Sequence, residues 1–316
     1  WAQRIGVIVP FAPMTPALLA LGLLALPAAS QVKNPDTYTY LAIGGPDTLD
    51  PAWADDTASM LVIRNVYETL LALGEGEELR PLIAERVPSR ENGLVSADGL
   101  TYTFPIRKGV RFHDGSELTP EDVRFSLLRF VLKDRAGGPS PWLLEPLTGT
   151  ATTRDAEGRP LDAVYRRAEA AVRVEGGGVV VRLARPHPPL LAVLAAWAPA
   201  LSRRWTAAAG GWDGSSATWR AFNGAKPPAA LEAGANGTGP WRLERWDRVG
   251  RHVVLARHDG YWRGPARLKR VVFRAVEEFS ARKLALMAGD ADVIQADWSQ
   301  YSQLKDLPGV SRAEGL

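Results

Sequence analysis

Between Asp98 and Ser126 the hydrophobic period of the chain changes from two to that of a helix. Leu100, Tyr102, Phe104 and Ile106 alternate with Thr101, Thr103 and Pro105, the pattern of a strand with one apolar face. Asp98-Gly99 before it and Asp114-Gly115 after it are turn dipeptides, because glycine takes positive φ without a Cβ clash. Thr119-Pro120-Glu121-Asp122 then predicts a helix start. Thr119 caps, Pro120 gives up no needed donor at the first helical position, and two carboxylates meet the positive end of the helix dipole.

The same reading places elements elsewhere. Tyr38 to Ile43 is a short β-like run ending at Gly44-Gly45, and a helix is expected from Thr57 with Met60, Ile63, Val66, Leu70 and Leu71 on one stripe. Ala171 to Val174 and Val179 to Leu183 flank Glu175-Gly176-Gly177-Gly178, a hairpin signal. Leu190 to Trp197 reads as a short buried helix, and Gly210 to Pro228, rich in Gly, Trp, Ser and Pro, as an irregular surface loop. Trp241 to Trp246 and His252 to His258 are expected to pair as antiparallel strands, followed by a strand from Val271 to Val276. Ser280 is expected to cap a helix through Met287 that stops at Gly289.

Composition narrows the class. The chain has 316 residues, 46% hydrophobic and 23% charged, enough for a sizeable core and about two domains. The net charge is only +3, and the basic residues are interspersed with 35 acids, which argues for a mixed solvated surface and against nucleic acid as a partner. No charge occurs between Arg4 and Lys33, Ala17 to Leu26 is unbroken apolar, and Ala28-Ala29-Ser30 offers a cleavage site, so 1–30 reads as a cleaved signal peptide. Prolines at 10, 13, 16 and 27 argue against a permanent membrane span. The chain has no cysteine, which excludes disulfides, zinc–thiolate sites, a cysteine nucleophile and a lipid anchor on cysteine. A soluble periplasmic product follows as the expectation.

Catalytic patterns are missing. There is no GxSxG elbow, HExxH helix or GxxxxGK[ST] loop, and the triple glycine at 176–178 reads as a turn. His252 and His258, six apart in an alternating strand, share a face but lack a third ligand of suitable spacing, so a strand-surface role is favoured over a metal site. His113-Asp114 sits in a turn where adjacent side chains diverge, and Asp290 and Asp292 fall at a helix end and a strand start. The expectation is a protein that is not an enzyme and needs no cofactor.

Asp98 to Ser126 resembles the signature region of family 5 extracytoplasmic solute-binding proteins, which serve ABC importers for peptides, nickel and related solutes. The pattern D-G-x-x-Y-T-F-x-[LI]-R-x-G-V-x-F-H-D-G-x-x-[LF]-T-x-x-D-V-x-x-S is met at nearly every fixed position. Leu49-Asp50-Pro51 resembles the family's early LDP turn, Val66 to Leu70 its VYExL element, Gly237 to Trp241 its GTGPY/F turn, Tyr261 to Pro265 its YWxGxP, and Gly289 to Val293 its GexDv. The resemblance implies an α/β, two-lobed periplasmic-binding-protein-like fold of class II type, with lobe one nearly complete and lobe two only begun. Its expected organisation is 31–270 for lobe one, with a signature subdomain at about 50–170, and 271–316 for the start of lobe two.

Ligand sites are concave and largely apolar with a few oriented polar groups, and eleven tryptophans supply candidate walls. In the family the loop after the LDP turn borders the cleft, which makes Trp53, Asp55, Asp56, Ser59 and Met60 candidates. Free N–H groups of the helix start would meet a ligand carboxylate, and Asp55 or Asp56 a cationic group; helix capping by Asp56 or Thr57 is the plain alternative. Trp142, after the Gly-Pro loop, matches a position that lines the pocket in relatives, with a core role as its alternative. Trp212 and Trp219 are weaker candidates, and Trp241, Trp246 and Trp262 read as packing. The implied role is the peptide-binding component of an ABC importer, a monomer whose partners are a peptide or other small solute and the permease subunits. Nickel or another solute, a receptor or chaperone role, or a secreted hydrolase stand as alternatives.

Overall fold

The computed structural model describes residues 33–311 apart from 75 and 77. The expected signal peptide at 1–30 lies outside the described residues. In chain order the elements are β1 (Thr37–Ala42), α1 (Thr57–Val66), β2 (Leu71–Leu73), β3 (Leu79–Pro81), β4 (Thr101–Pro105), α2 (Pro120–Lys133) and α3 (Pro141–Thr148). There follow α4 (Asp162–Ala171), β5 (Val172–Glu175), β6 (Gly178–Arg182), α5 (Leu190–Ala196), α6 (Arg203–Ala208), α7 (Trp219–Phe222) and α8 (Ala229–Ala233). The last six are β7 (Trp241–Asp247), β8 (His252–Arg257), β9 (Arg270–Ala275), α9 (Phe279–Met287), β10 (Val293–Ile294) and α10 (Trp298–Tyr301).

Three sheets result. The largest has the order β10-β1-β9-β8-β7, with β1 parallel to β10 and β9 and the β7-β8-β9 meander antiparallel. The signature region builds the second sheet, β4-β6-β5, all antiparallel, and β2 pairs with β3. Side-chain alternation decides what each face meets. Val253, Leu255, Val271 and Phe273 of the large sheet are buried in the core, which also takes Phe104 and Val181 from the second sheet.

α2 starts as its sequence predicts. Thr119 Oγ1 accepts from Asp122 N–H while Asp122 Oδ2 accepts from Thr119 N–H, a reciprocal capping box with Pro120 at the first position. Ten of its residues are buried, so the helix runs through the core with little exposed face.

Four expectations differ from the structure for definable reasons. α1 ends at Val66, whose carbonyl accepts from Gly239 N–H, so Leu70 and Leu71 leave the stripe and Leu71 opens β2. The C-terminal helix begins one residue before Ser280, with Glu278 at its N-cap. The 210–228 segment is no surface loop throughout: Trp212 stacks between Phe125 and Phe222 at 5.6 and 5.5 Å, and Trp219 lies on Tyr165 at 5.2 Å, both rings buried in the core. That burial removes both from the ligand candidates. Finally, the 271–276 strand, read as the first of a second lobe, is β9, hydrogen-bonded to β1 on one side and β8 on the other. A parallel partner from the start of the chain holds it there, so the described sheet does not divide at 270.

Candidate ligand-binding site

The loop between Leu49 and α1 is built on Asp50. Its backbone carbonyl accepts from Trp53 and Ala54 N–H, and its Oδ1 accepts from Ala52 N–H at 3.1 Å, which winds the chain into a tight turn. Both carboxylate oxygens meet the Nη atoms of Arg129 at 2.6 Å, with both side chains 1% exposed. Burial works against the Asp50 charge, but the Arg129 guanidinium, its hydrogen bonds and the Ala52 N–H outweigh it and hold the carboxyl below its ordinary range. The loop is thus tied to α2 before it reaches the residues singled out for binding.

Those residues divide into two groups. Asp56 is the N-cap of α1 and accepts from Ser59 N–H at 2.7 Å. Ser59 is fully buried, and its Oγ accepts from Asp47 and Thr48 N–H at 3.0 and 3.2 Å; Met60 is buried in the core. These three side chains face inward and shape the loop. Trp53, half-buried, and Asp55, exposed, remain at the surface. Asp55 is not a free carboxylate: its Oδ2 lies 2.6 Å from Arg135 Nη2.

Arg135 joins this loop to the one that carries Trp142. Its Nε donates to the Trp53 carbonyl at 3.0 Å, and its guanidinium lies 5.2 Å from the Trp53 ring centroid. The residue before it, Asp134, ends α2 in the left-handed region at φ 35°, a conformation that Asp tolerates better than most side chains. Asp134 Oδ2 accepts from Thr152 Oγ1 and from Thr153 N–H and Oγ1 at 2.9, 2.7 and 2.5 Å, which fixes the turn. Six residues on, Ser140 Oγ accepts from Asp134 N–H and donates to the Phe130 carbonyl, setting the start of α3.

Trp142 is 51% exposed and meets Trp197 edge to face at 5.0 Å, with Phe130 behind Trp197 at 6.3 Å. Sequence reasoning misses both Trp197, which it places only at the end of a buried helix, and Arg135. Periodicity has no signal for either, because one caps a seven-residue helix and the other follows a helix end. The 50–56 loop thus carries one half-buried indole and one exposed carboxylate, both held by Arg135, and the start of α3 carries the exposed indole of Trp142.

Two concavities could hold a ligand. One of about 120 Å³ is lined by Asp47, Thr48, Trp53, Lys226, Pro227 and Glu232, beside the loop just described. The other, about 590 Å³, lies on the outer face of the large sheet, where Thr39, Val254, Arg270 and Val272 line it. Of its charged groups Arg270 already pairs with Glu244 at 3.0 Å, and Arg245 Nη2 lies 2.7 Å from His252 Nε2 outside the lining. An open strand face with engaged charges is a weaker ligand site than the loops that carry Trp53 and Trp142.

The remaining motifs meet at a buried carboxylate. Glu68 of the VYExL element accepts at Oε1 from Tyr261 OH at 2.6 Å, and at Oε2 from Thr238 Oγ1 at 2.8 Å and Trp262 Nε1 at 2.9 Å. Burial raises its pKa while these three hydrogen bonds oppose the rise. His113 brackets the GTG turn: Gly237 N–H donates to Nδ1 at 3.3 Å, which leaves the proton on Nε2, 3.0 Å from the Gly239 carbonyl. His258 turns its ring edge to His113 at 4.9 Å and away from His252, so the two strand histidines do not converge. Asp114 closes its turn by accepting from Ser116 N–H at 2.9 Å, and Asp292 accepts from Thr39 N–H at 2.7 Å. No described helix is long and apolar enough to cross a membrane.

The profile of the bacterial extracellular solute-binding proteins, family 5 (middle), matches residues 78–315, and the chain belongs to that family. The glutathione-binding protein GsiB of Escherichia coli strain K12 is 26% identical over 284 residues, covering 87% of this chain and 45% of the relative. The chain therefore spans about half the length of the curated relatives it matches. Among solved structures, DppA of Helicobacter pylori in complex with the peptide STSA superposes with a TM-score of 0.63 at 23% identity, over 86% of this chain and 49% of that one. AppA of Bacillus subtilis in complex with a nonapeptide gives 0.64 at 22% identity, over 86% and 46%. At these identities the structures establish the fold.

Proposed function

We propose that this chain is the substrate-binding component of an ABC importer that captures di- to oligopeptides in the periplasm and delivers them to the membrane permease. The observation that carries the reading is the cluster of Trp53 and Asp55 held by Arg135 on the loop before α1, with the exposed Trp142 at the start of α3 as a second candidate wall, on a scaffold of this family. Indole faces suit the side chains and flat amides of a peptide, and Asp55 suits its ammonium group. Glutathione, STSA and a nonapeptide, named with three relatives, are all peptides, which supports the same class here.

The mechanism is closure of two lobes on the ligand, whose differential affinity for the closed form shifts the population that the permease recognises. No step breaks a covalent bond, and the protein acts as a binder. The segment 1–30 directs export, and the described residues through β10 belong to the first lobe, since β9 and β10 flank β1 in one sheet.

Native mass spectrometry on the product of the complete reading frame, purified from periplasm, tests the reading. Released masses of di- to oligopeptides support it. A spectrum free of ligand and unchanged by added peptide mixtures sinks it, and a metal or other small solute moves the substrate while keeping the fold.

A further inference from the structure

Three cations of α2 and the turn after it stand in a column with two aromatic rings. Arg129 Cζ lies 5.4 Å from the Phe222 centroid, and Lys133 Nζ lies 4.2 Å from the same ring and 5.1 Å from that of Trp53. Arg135 Cζ closes the column 5.2 Å from Trp53. The 50–56 loop supplies a carboxylate at each end, Asp50 to Arg129 and Asp55 to Arg135. Lys133, in the middle and 1% exposed, has no carboxylate partner among the described residues; its hydrogen bond is to the Phe222 carbonyl at 3.5 Å. A buried ammonium in that position is attracted by the ring faces beside it as well as by the more distant Asp50 charge.

We infer that Lys133 is the positioning residue for Trp53: its ammonium holds the indole face in one orientation and with it the 53–56 loop. The consequence for binding rests on the reading that this loop faces the ligand, but the positioning itself does not. Arg129 on the same helix and Asp50 across from it are the charges that face Lys133, and Arg135 also lies against the Trp53 ring, 5.2 Å from its centroid. Asp47, Lys226 and Glu232 line the small cavity that Trp53 also borders. Burial first, then Arg129, pull the Lys133 ammonium down to about 8, with Asp50 opposing. A neutral amine has no cation–π attraction, so the hold on Trp53 is released as the proton leaves.

The test is fluorine NMR of the protein labelled with 5-fluorotryptophan, with the Trp53 resonance assigned by Trp53→Phe and followed from about pH 6 to about pH 10. The resonance is expected to shift with a midpoint near 8. Lys133→Arg keeps a cation through that range and should abolish the shift, Lys133→Met should sit at the high-pH position throughout, and Lys226→Gln should leave the midpoint in place. A Trp53 resonance that stays flat in the parent, a Lys133→Arg variant that titrates like it, or loss of the shift in Lys226→Gln each overturns the inference. Lys133→Arg keeps the experiment decisive where Lys133→Met fails to fold. The readout needs no ligand, so it stands or falls separately from the transport function.

Discussion

Arg129→Met removes a guanidinium that makes two 2.6 Å contacts to Asp50 in a site where both side chains are 1% exposed. Removing one partner of such a pair strands the other as a buried charge, at a cost of about 3–5 kcal/mol. Two features of the site place this variant near the lower end. Ala52 N–H still serves Asp50 Oδ1, and the Lys133 ammonium remains close enough to favour the Asp50 charge. Asp50→Asn keeps an acceptor for Ala52 but leaves Arg129 and Lys133 as two buried cations with no anion, so it belongs near the upper end. The double variant leaves one buried cation, Lys133, and no anion, and should cost less than the sum, with a coupling of about 2 kcal/mol or more. Urea unfolding followed by tryptophan fluorescence measures all four proteins. Additivity within about 0.5 kcal/mol would refute the claim that the pair acts as a unit. The pH dependence gives a second check. Asp50 is depressed in the fold, so its contribution is present above its unfolded pKa and is lost as pH falls through the folded one. Arg129→Met should therefore flatten the acid limb of the stability profile.

The motif junction yields three further outcomes. Burial, more than any neighbour, pushes the His113 imidazole from 6.5 down to about 4, so its contribution is intact above 6.5 and drains as pH falls toward 4. The loss across that window should be about 2–3 kcal/mol in urea titrations, and a His113→Gln variant that keeps the same acid slope would refute the assignment. Gly237→Ala would place a Cβ 2.0 Å from the Val66 carbonyl oxygen, which is backbone and has no room to yield, so thermal unfolding should show a loss of about 3 kcal/mol or more. Gly44→Ala, with nothing within 4 Å of its Cβ, is the matched control and should be near neutral. Glu68 is raised in the fold, so its contribution is full below the unfolded pKa and lost as pH rises through the folded one. Glu68→Gln should remove that slope at a cost of about 1 kcal/mol at pH 7, while Glu68→Ala strands three donors and costs about 3 kcal/mol. An Ala variant as stable as the Gln variant would show that the donors find other partners.

Legibility in the sequence followed the reach of local rules. The β4 alternation, the Thr119–Asp122 capping box and the Gly176-Gly177 turn each depend on a few neighbouring residues, and each formed where expected. The failures involve partners distant in the chain. α1 stops at Val66 because the turn at 237–239 packs on its last carbonyl, about 170 residues later, and no periodicity before Leu70 announces that. The family resemblance, not any local pattern, groups β9 with the segment C-terminal to it, whereas its parallel partner in the sheet is β1 at the other end of the described chain. Trp212 and Trp219 lie among glycines, prolines and serines, a composition that points to exposure, whereas stacking on Phe125, Phe222 and Tyr165 buries them. In the candidate site the sequence singles out the 53–60 loop and Trp142, which is exposed, but not Arg135, whose contacts with Asp55 and Trp53 depend on which groups it reaches.

A division of labour between motif and interval explains why a fold this legible leaves the ligand unnamed. Asp50, Glu68, His113, Gly237 and Trp262 all belong to recurrent motifs, and every one is engaged inside the scaffold, by an ion pair, a hydrogen-bond cluster or a close backbone approach. Asp55, Trp142 and Trp197 lie in the intervals between motifs and are the groups left with exposed or half-exposed surface. Residues of the first kind must satisfy buried polar groups, where a single unpaired donor costs about 1–3 kcal/mol, so their chemistry is narrowly constrained. Residues of the second kind carry fewer such constraints, so their side chains can change at less cost to the fold. Arg135 is the exception that links the two. It is engaged in holding Asp55 and the Trp53 carbonyl, so an ammonium ligand that takes Asp55 must compete with it at 2.6 Å. Substitution at Arg135 should therefore shift ligand preference toward cations at little cost to the core, which is where specificity in this lobe can be moved.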